Sequence, residues 1–187
     1  MQKKLSVSSA WTLVCSSVVL VISIFFPWWR MDFFAPQYPE GLDIIVYPYK
    51  LEGQIEIING LNHYVGMKPF SEANFPELQY LPYVIGGIAA LVLLAAIIRK
   101  KSFLYVVIGI FGVGGILGLY DIYYWLKQYG TNLDPKAPID IEPFIPPMIG
   151  DNTIANFVTH SYFSTGSYLM GLAFLLLLIP LWRERKR

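Results

Sequence analysis

The chain has 187 residues, of which 55% are hydrophobic and only 14% are charged, and its net charge is +1. Soluble domains carry about 25% charged residues, so this composition and a mean hydropathy of +0.49 exclude an ordinary water-soluble globule. The single cysteine, Cys15, excludes an internal disulfide framework and any cysteine-rich metal centre. The sequence therefore predicts an integral membrane protein.

Four apolar segments are long enough for transmembrane helices, since a bilayer core about 30 Å thick requires roughly 20 helical residues. They cover about residues 7–26, 81–98, 103–125 and 162–181, and a basic turn at 99–102 joins the second to the third. The first segment could be a signal peptide, but no small-x-small cleavage site precedes Pro27, which favours a retained anchor. The pattern predicts an all-α transmembrane fold, with the whole chain 1–187 forming a single four-helix bundle.

The charges predict how this bundle is oriented. Nine basic residues and one acidic residue lie near the two termini and in the 99–102 turn, a local charge of +8; five basic and twelve acidic residues leave −7 on the other side. By the positive-inside rule, both termini lie in the cytoplasm, and the loops at about 28–80 and 126–161 are extracytoplasmic. The predicted location is the cytoplasmic (inner) membrane, crossed several times.

The two long loops differ in character. In the first, the β-type run 43–47 and the alternating run 54–58 predict a small β-hairpin, with its turn at 50–53. The second contains a proline-rich strap at 132–151, whose prolines suit an extended chain and whose apolar residues require a covering surface. Trp28, Trp29 and Tyr162 fall near helix ends and are interpreted as an interfacial aromatic belt.

One loop segment combines metal-ligand residue types at helical spacing. If residues 59–67 are helical, His63 and Met67 share a face, and imidazole with a soft thioether suits copper. Further ligands would have to come from other segments of the chain. The alternative is structural: His63 hydrogen-bonds the neighbouring asparagines, and Met67 packs into the loop core.

A second group of candidates lies near the ends of the third and fourth segments. Asp121 is an acid within an apolar run, which is costly unless it is paired or hydrated. Its functional alternatives are a quinol or proton site, together with Tyr124, or a ligand to a cation. The structural alternative is an interfacial carboxylate paired with Arg30, Lys127 or a tyrosine hydroxyl. His160 is interpreted as an interfacial residue, since two histidines outside the apolar spans make a poor haem site.

Glycines on the third segment provide a further signal. Gly114 and Gly118 have the GxxxG spacing that lets helices approach closely, and Gly86 and Gly87 on the second segment are the expected contacts. No phosphate-binding loop, zinc-protease motif, nucleophile elbow or nucleic-acid-binding pattern occurs. The sequence therefore does not predict an enzyme or a nucleic-acid partner.

Several short stretches together resemble a known family. They are FAPQYPEGL at 34–42, INGLNHYVGM at 58–67, FPE at 75–77, GLYD at 118–121, NLDP at 132–135 and PPMIG at 146–150. In this order they resemble the NosB-like proteins, small four-helix membrane proteins associated with atypical (clade II) nitrous oxide reductase gene clusters. The resemblance implies a membrane accessory protein for periplasmic copper chemistry. Its hallmark region maps onto Asn62, His63, Tyr64, Gly66 and Met67, and Asn59 is a further supporting residue of the same loop.

Two functions follow as hypotheses. In the first, the chain helps to assemble or dock the copper site of a periplasmic or membrane cuproenzyme, and His63 and Met67 bind copper. In the second, it is a structural anchor subunit of a membrane oxidase or another respiratory complex, has no cofactor of its own and docks its partner through the proline-rich strap. Both hypotheses place the helices in membrane lipid.

Overall fold

The computed structural model of the chain describes residues 4–154 and 157–185. Within them are five α-helices, five β-strands and two short 3-10 helices, Glu72–Asn74 and Pro76–Gln79. The helices are α1 (Val7–Ser23), α2 (Ile55–Tyr64), α3 (Leu81–Ile98), α4 (Lys101–Thr131) and α5 (Thr165–Arg185). The strands are β1 (Trp29–Ala35), β2 (Tyr38–Val46), β3 (Leu51–Gly53), β4 (Gly150–Ile154) and β5 (Phe157–Phe163).

The prediction of an all-α four-helix bundle is wrong, because the five strands form one antiparallel sheet in the order β3-β2-β1-β5-β4. Residues along a strand alternate between the two faces of a sheet, and β1 shows this alternation. Trp29 and Met31 are buried, whereas Arg30 and Asp32 are only partly buried. The molecule is therefore a mixed helix and sheet protein, and its sheet is built from both long loops.

The hairpin in the first loop forms with a different second strand. β2 pairs with β3, and the connecting turn is closed by a hydrogen bond from the Tyr47 amide to the Lys50 carbonyl, 2.9 Å long. Residues 51–53, which fall in the predicted turn, form the strand itself. The predicted second strand at 54–58 instead begins α2, because Gly53 takes a positive φ of 108° and ends the extended chain.

Among the described residues, three helices are long and apolar enough to cross a membrane: α3, α4 and residues Thr165–Glu184 of α5. The apolar helix α1 is shorter, with 17 residues. α4 extends beyond the predicted 103–125 at both ends. α5 begins at Thr165, later than predicted, because Tyr162 and Phe163 belong to β5.

α1 lies between α3 and α5 and forms the centre of the helical core. Two adjacent buried serines hold it there: Ser16 Oγ donates to the Ala173 carbonyl at 2.6 Å, and Ser17 Oγ donates to the Ala89 carbonyl at 2.8 Å. Hydroxyl donors of this kind are a usual means of joining helices in an apolar medium. The apolar part of this core includes Leu13, Leu20, Val92 and Leu177.

The helix ends farthest from the sheet, here called the basic end, are joined by polar contacts. The Leu5 amide donates to the Arg99 carbonyl at 2.8 Å, and the Arg99 guanidinium donates back to the Leu5 carbonyl. The buried carboxylate of Glu184 accepts hydrogen bonds from the Ser6 amide and the Ser9 hydroxyl. Of the basic residues counted at this end, Lys3, Lys186 and Arg187 lie outside the described residues.

Candidate functional site

A partly open cavity of about 880 Å³ lies between the inner face of the sheet and helices α3, α4 and α5. Met31 of β1, a strand that the sequence did not predict, lines the cavity together with Ile44 and Val46 of β2, which fall in the predicted β-type run 43–47, so the sheet forms one wall. The lining is almost entirely apolar and aromatic. Cavities of about 300–1,000 Å³ with this character are typical small-molecule sites.

The cavity exists because α4 is held at its two ends and stands away from its neighbours between them. The buried residues of α4 are Leu104, Val107 and Phe111 near the basic end, and Tyr129 and Gly130 near the sheet. The described residues between them, 112–128, are all partly or fully exposed. The middle of this helix therefore borders open space.

An aromatic cluster holds the far end of α4 in this position. The Tyr129 ring stacks on Phe70, with centroids 4.3 Å apart, and on Phe75 at 5.9 Å. Phe75 also packs against Trp125 at 4.7 Å. The Tyr129 hydroxyl donates to the Pro69 carbonyl at 3.2 Å, so the loop before α3 supports α4 where the helices alone do not.

The glycines of α4 form part of the cavity wall. A Cβ atom added at Gly112 or Gly114 would meet one side chain at 3.6 Å or more, and one added at Gly115 or Gly118 would meet nothing within 4 Å. Gly86 and Gly87 of α3 are equally free of close contacts. The GxxxG spacing therefore does not produce the close helix approach that the sequence predicts.

Two carboxylates line this cavity, Asp121 of α4 and Glu77 of the second 3-10 helix. Both are half-buried, and they are near enough to repel each other. Among the described residues, neither makes a hydrogen bond or an ion pair, in contrast to the predicted pairing of Asp121 with Arg30, Lys127 or a tyrosine. Unpaired charge beside an apolar cavity is costly and is a feature of binding sites.

The other two residues of the predicted second site, Tyr124 and His160, do not line this cavity. Tyr124 is exposed, and its ring packs edge-on against Trp125. His160 lies on β5, where its ring nitrogen contacts the Asp151 carboxylate. Asp121 and Tyr124 are therefore neighbours on α4, three residues apart, whereas His160 lies in the sheet and pairs with Asp151.

His63 and Met67 do not share a helical face. α2 ends at Tyr64, and Gly66, with φ of 77°, reverses the chain, so that the Met67 amide donates to the Asn62 carbonyl at 2.9 Å. This is the usual left-handed ending of a helix. His63 is exposed, whereas Met67 lines the apolar cavity. Among residues 4–154 and 157–185, no group of three or more His, Cys, Asp or Glu side chains is placed to hold a metal ion.

The residues around His63 have structural contacts. The Asn59 side chain accepts from the Phe70 amide at 2.6 Å and donates to the Phe70 carbonyl at 2.8 Å. The carbonyls of Tyr64 and Gly66 accept amide hydrogen bonds from the proline-rich strap, at 2.9 and 2.8 Å respectively. Asn62 is buried, and its side-chain nitrogen has no partner among the described atoms. Through the hydrogen bonds of Tyr64 and Gly66, the end of α2 connects the first long loop to the proline-rich strap of the second.

The outer face of the sheet carries an ion-pair network that sequence analysis missed. Arg30 contacts Asp32 through Nε and Asp43 through an Nη atom, each at 2.7 Å, and the Tyr162 hydroxyl donates to Asp32 at 3.1 Å. The hydrogen bond with Asp32 raises the pKa of Arg30 above its ordinary value. Burial, followed by the hydrogen bond to Asp32, raises the pKa of Tyr162. The alternation of residues 29–35 was the signal that could have revealed this face.

Neither a scan of protein-family models nor a search of curated proteins finds a match to this chain. The resemblance to the NosB-like proteins therefore stays a prediction. The assignment to copper chemistry and nitrous oxide reduction has no support in the structure or in these comparisons, since His63 and Met67 point to different surroundings.

Proposed function

We propose that this chain is a membrane accessory subunit, without catalytic activity of its own, that holds a lipid-like molecule in the cavity beneath its sheet. The observation that carries the proposal is the apolar cavity of about 880 Å³ that borders all three of the long apolar helices. An acyl or prenyl chain in an apolar cavity of this size would gain many dispersion contacts with its walls.

The length of α4 supports this position for the ligand. Its 31 residues span about 46 Å at 1.5 Å per residue, whereas the apolar core of a bilayer is about 30 Å thick. Asp121 lies 18 residues beyond Phe103, or about 27 Å along the axis. We place Asp121 at the boundary between the apolar core and the head groups, with the sheet outside the cytoplasm and the basic end inside it.

A glycine exchange tests occupancy of the cavity. Gly115→Phe places a ring in the cavity, whereas Gly109→Phe, on the same helix, is a matched control, because Gly109 has open space around it and does not line the cavity. Lipid retained after purification in mild detergent is then quantified by extraction. We expect the wild type and Gly109→Phe to retain the same amount and Gly115→Phe to retain less. Equal retention by all three proteins would refute the proposal.

A second candidate, an anchor subunit for a respiratory or oxidase complex, is favoured by the proline-rich strap. Ile139, Ile145 and Ile149 of the strap are 47%, 44% and 63% exposed. They lie on the sheet side of the molecule, where lipid tails would not cover them. A photo-reactive residue at Ile149 should cross-link one protein in fixed ratio in native membranes, and the same residue at exposed Glu40 should not. A chain that cross-links at neither position would refute this role.

A further inference from the structure

We infer that the molecule in the cavity is a membrane lipid whose head group ends in an amine, with its cationic nitrogen between the carboxylates of Asp121 and Glu77. This inference rests on the proposed function, because it specifies the head group of the same occupant. The two carboxylates are the only acidic groups among the described residues that line the cavity, and the lining contains no Lys, Arg or His.

The basic residues on the sheet side of the described molecule are either paired with other acids or exposed. Arg30 pairs with Asp32 and Asp43 on the opposite face of the sheet, and Lys50 pairs with Glu52. Other cations on the sheet side are exposed to solvent, namely Lys68, Lys127 and Lys136. The described protein therefore provides no countercharge for Asp121 and Glu77, and a bound cation would provide it.

Two aromatic residues of the cavity wall are close in sequence to the carboxylates. Trp125 follows Asp121 by one helical turn, on the same side of α4, and Phe75 precedes Glu77 by two residues. Their ring centroids are 4.7 Å apart, and both rings line the cavity. Aromatic faces attract ammonium groups, with tryptophan the strongest of them. The carboxylates and rings thus form one cation-binding corner at the sheet end of the cavity.

The shape of the cavity fits the two ends of such a lipid. The corner lies at the level assigned to the head groups, and the apolar wall of Gly112, Gly115 and Ile88 continues from it toward the basic end. An anionic head group would be repelled by both carboxylates. An uncharged head group without a cationic nitrogen would leave both carboxylates without a countercharge beside an apolar cavity.

Competition between two lipids tests this assignment. The full-length protein is reconstituted in vesicles of equal parts phosphatidylethanolamine and phosphatidylglycerol, extracted in mild detergent, and its retained lipids are identified by mass spectrometry. We expect roughly tenfold enrichment of phosphatidylethanolamine, the factor expected for a cation held by carboxylates and rings. The variant Asp121→Asn/Glu77→Gln should retain lipid without this enrichment. The control Glu56→Gln changes an exposed carboxylate and should behave as the wild type.

Three results would overturn the inference in separable ways. Retention of both lipids in the input ratio by the wild type refutes the amine preference while the proposed function stands. Enrichment that persists in Asp121→Asn/Glu77→Gln shows that other residues select the head group. A wild-type protein that retains no lipid refutes the proposed function and the inference together.

Discussion

Asp32 of β1 lies directly opposite His160 of β5 in the antiparallel ladder, although the two residues come from different interhelical loops. This pairing turns two loops into one sheet that covers the ends of the helices. The inner face of that sheet then provides a wall of the cavity, through Met31, Ile44 and Val46. The site therefore depends on a contact between distant parts of the chain.

A disulfide tests this pairing. Opposite residues in antiparallel strands have Cα atoms about 4.5–5.5 Å apart, within the range that a disulfide spans. In a Cys15→Ser background, Asp32→Cys with His160→Cys should therefore cross-link on mild oxidation, as seen by a mobility shift on non-reducing gels. Asp32→Cys with Ser161→Cys is the control, because adjacent strand residues face opposite sides of the sheet. Cross-linking of the control pair alone would contradict the register.

Removal of the Arg30 side chain should destabilise the sheet. Arg30→Met leaves Asp32 and Asp43 opposite each other without their shared cation. Because these side chains are partly exposed, we expect a loss of about 1 kcal/mol, or a Tm about 2–4 °C lower for a chain of this size. Arg30→Lys keeps the charge but not the two-pronged contact, so its Tm should lie between those of the wild type and Arg30→Met. An unchanged Tm for Arg30→Met would show that the network is dispensable.

The Tyr162 hydroxyl should titrate above the ordinary range of tyrosine. Burial is the main cause that raises its pKa, and the hydrogen bond to Asp32 adds to it. The folded state therefore favours the neutral phenol. The stability that the neutral Tyr162 contributes is complete below the unfolded pKa of about 10. It is lost as pH rises through the higher pKa of the folded state. Subtracting the tyrosinate absorbance of Tyr162→Phe from that of the wild type isolates the titration of Tyr162 from that of the other tyrosines, of which the chain has 13 in total. A difference spectrum with a midpoint below 10 would contradict the observed environment.

Alanine substitution at two glycines of α4 should change the stability of the protein in opposite directions. A Cβ at Gly130 would overlap the Phe144 carbonyl oxygen and approach Pro146 to 2.9 Å, so Gly130→Ala must displace the proline-rich strap. We expect a loss of about 1–3 kcal/mol, typical of overpacking. Gly109→Ala meets no neighbour and should stabilise the helix by roughly 0.5–1 kcal/mol. Thermal unfolding in detergent compares the two, and equal Tm values would argue against the packing of the strap on α4.

The helices could be predicted from the sequence because a long apolar run has few alternative structures. The sheet could be predicted only in part: the run 43–47 indicates β2, whereas β1 and β5 adjoin apolar segments and are predicted as helix ends. β5 directs Thr159 and Ser161 into the buried face, where apolar residues are usual, and so resembles a polar loop. Trp29 and Tyr162 resemble an interfacial belt by composition, but they lie in paired strands.

The sequence likewise reveals some residues of the candidate site and not others. Asp121 could be identified from the sequence because an acid in an apolar helix needs an explanation. Glu77 could not, since only the folded loop before α3 brings it to the same cavity. The spacing of His63 and Met67 was misleading because it assumes a continuous helix, and Gly66 ends that helix. The open glycine face of α4 depends on the aromatic support of Tyr129, which no local pattern reveals.

Native mass spectrometry of the 21.3 kDa chain, released from its own membrane in mild detergent, tests the central claim most directly. As collision energy is raised, loosely associated lipids should dissociate first and leave a persistent species of one chain with one bound lipid. A protein that loses all its lipids in a continuous series, with no persistent singly bound species, would contradict the claim that the cavity holds a resident molecule.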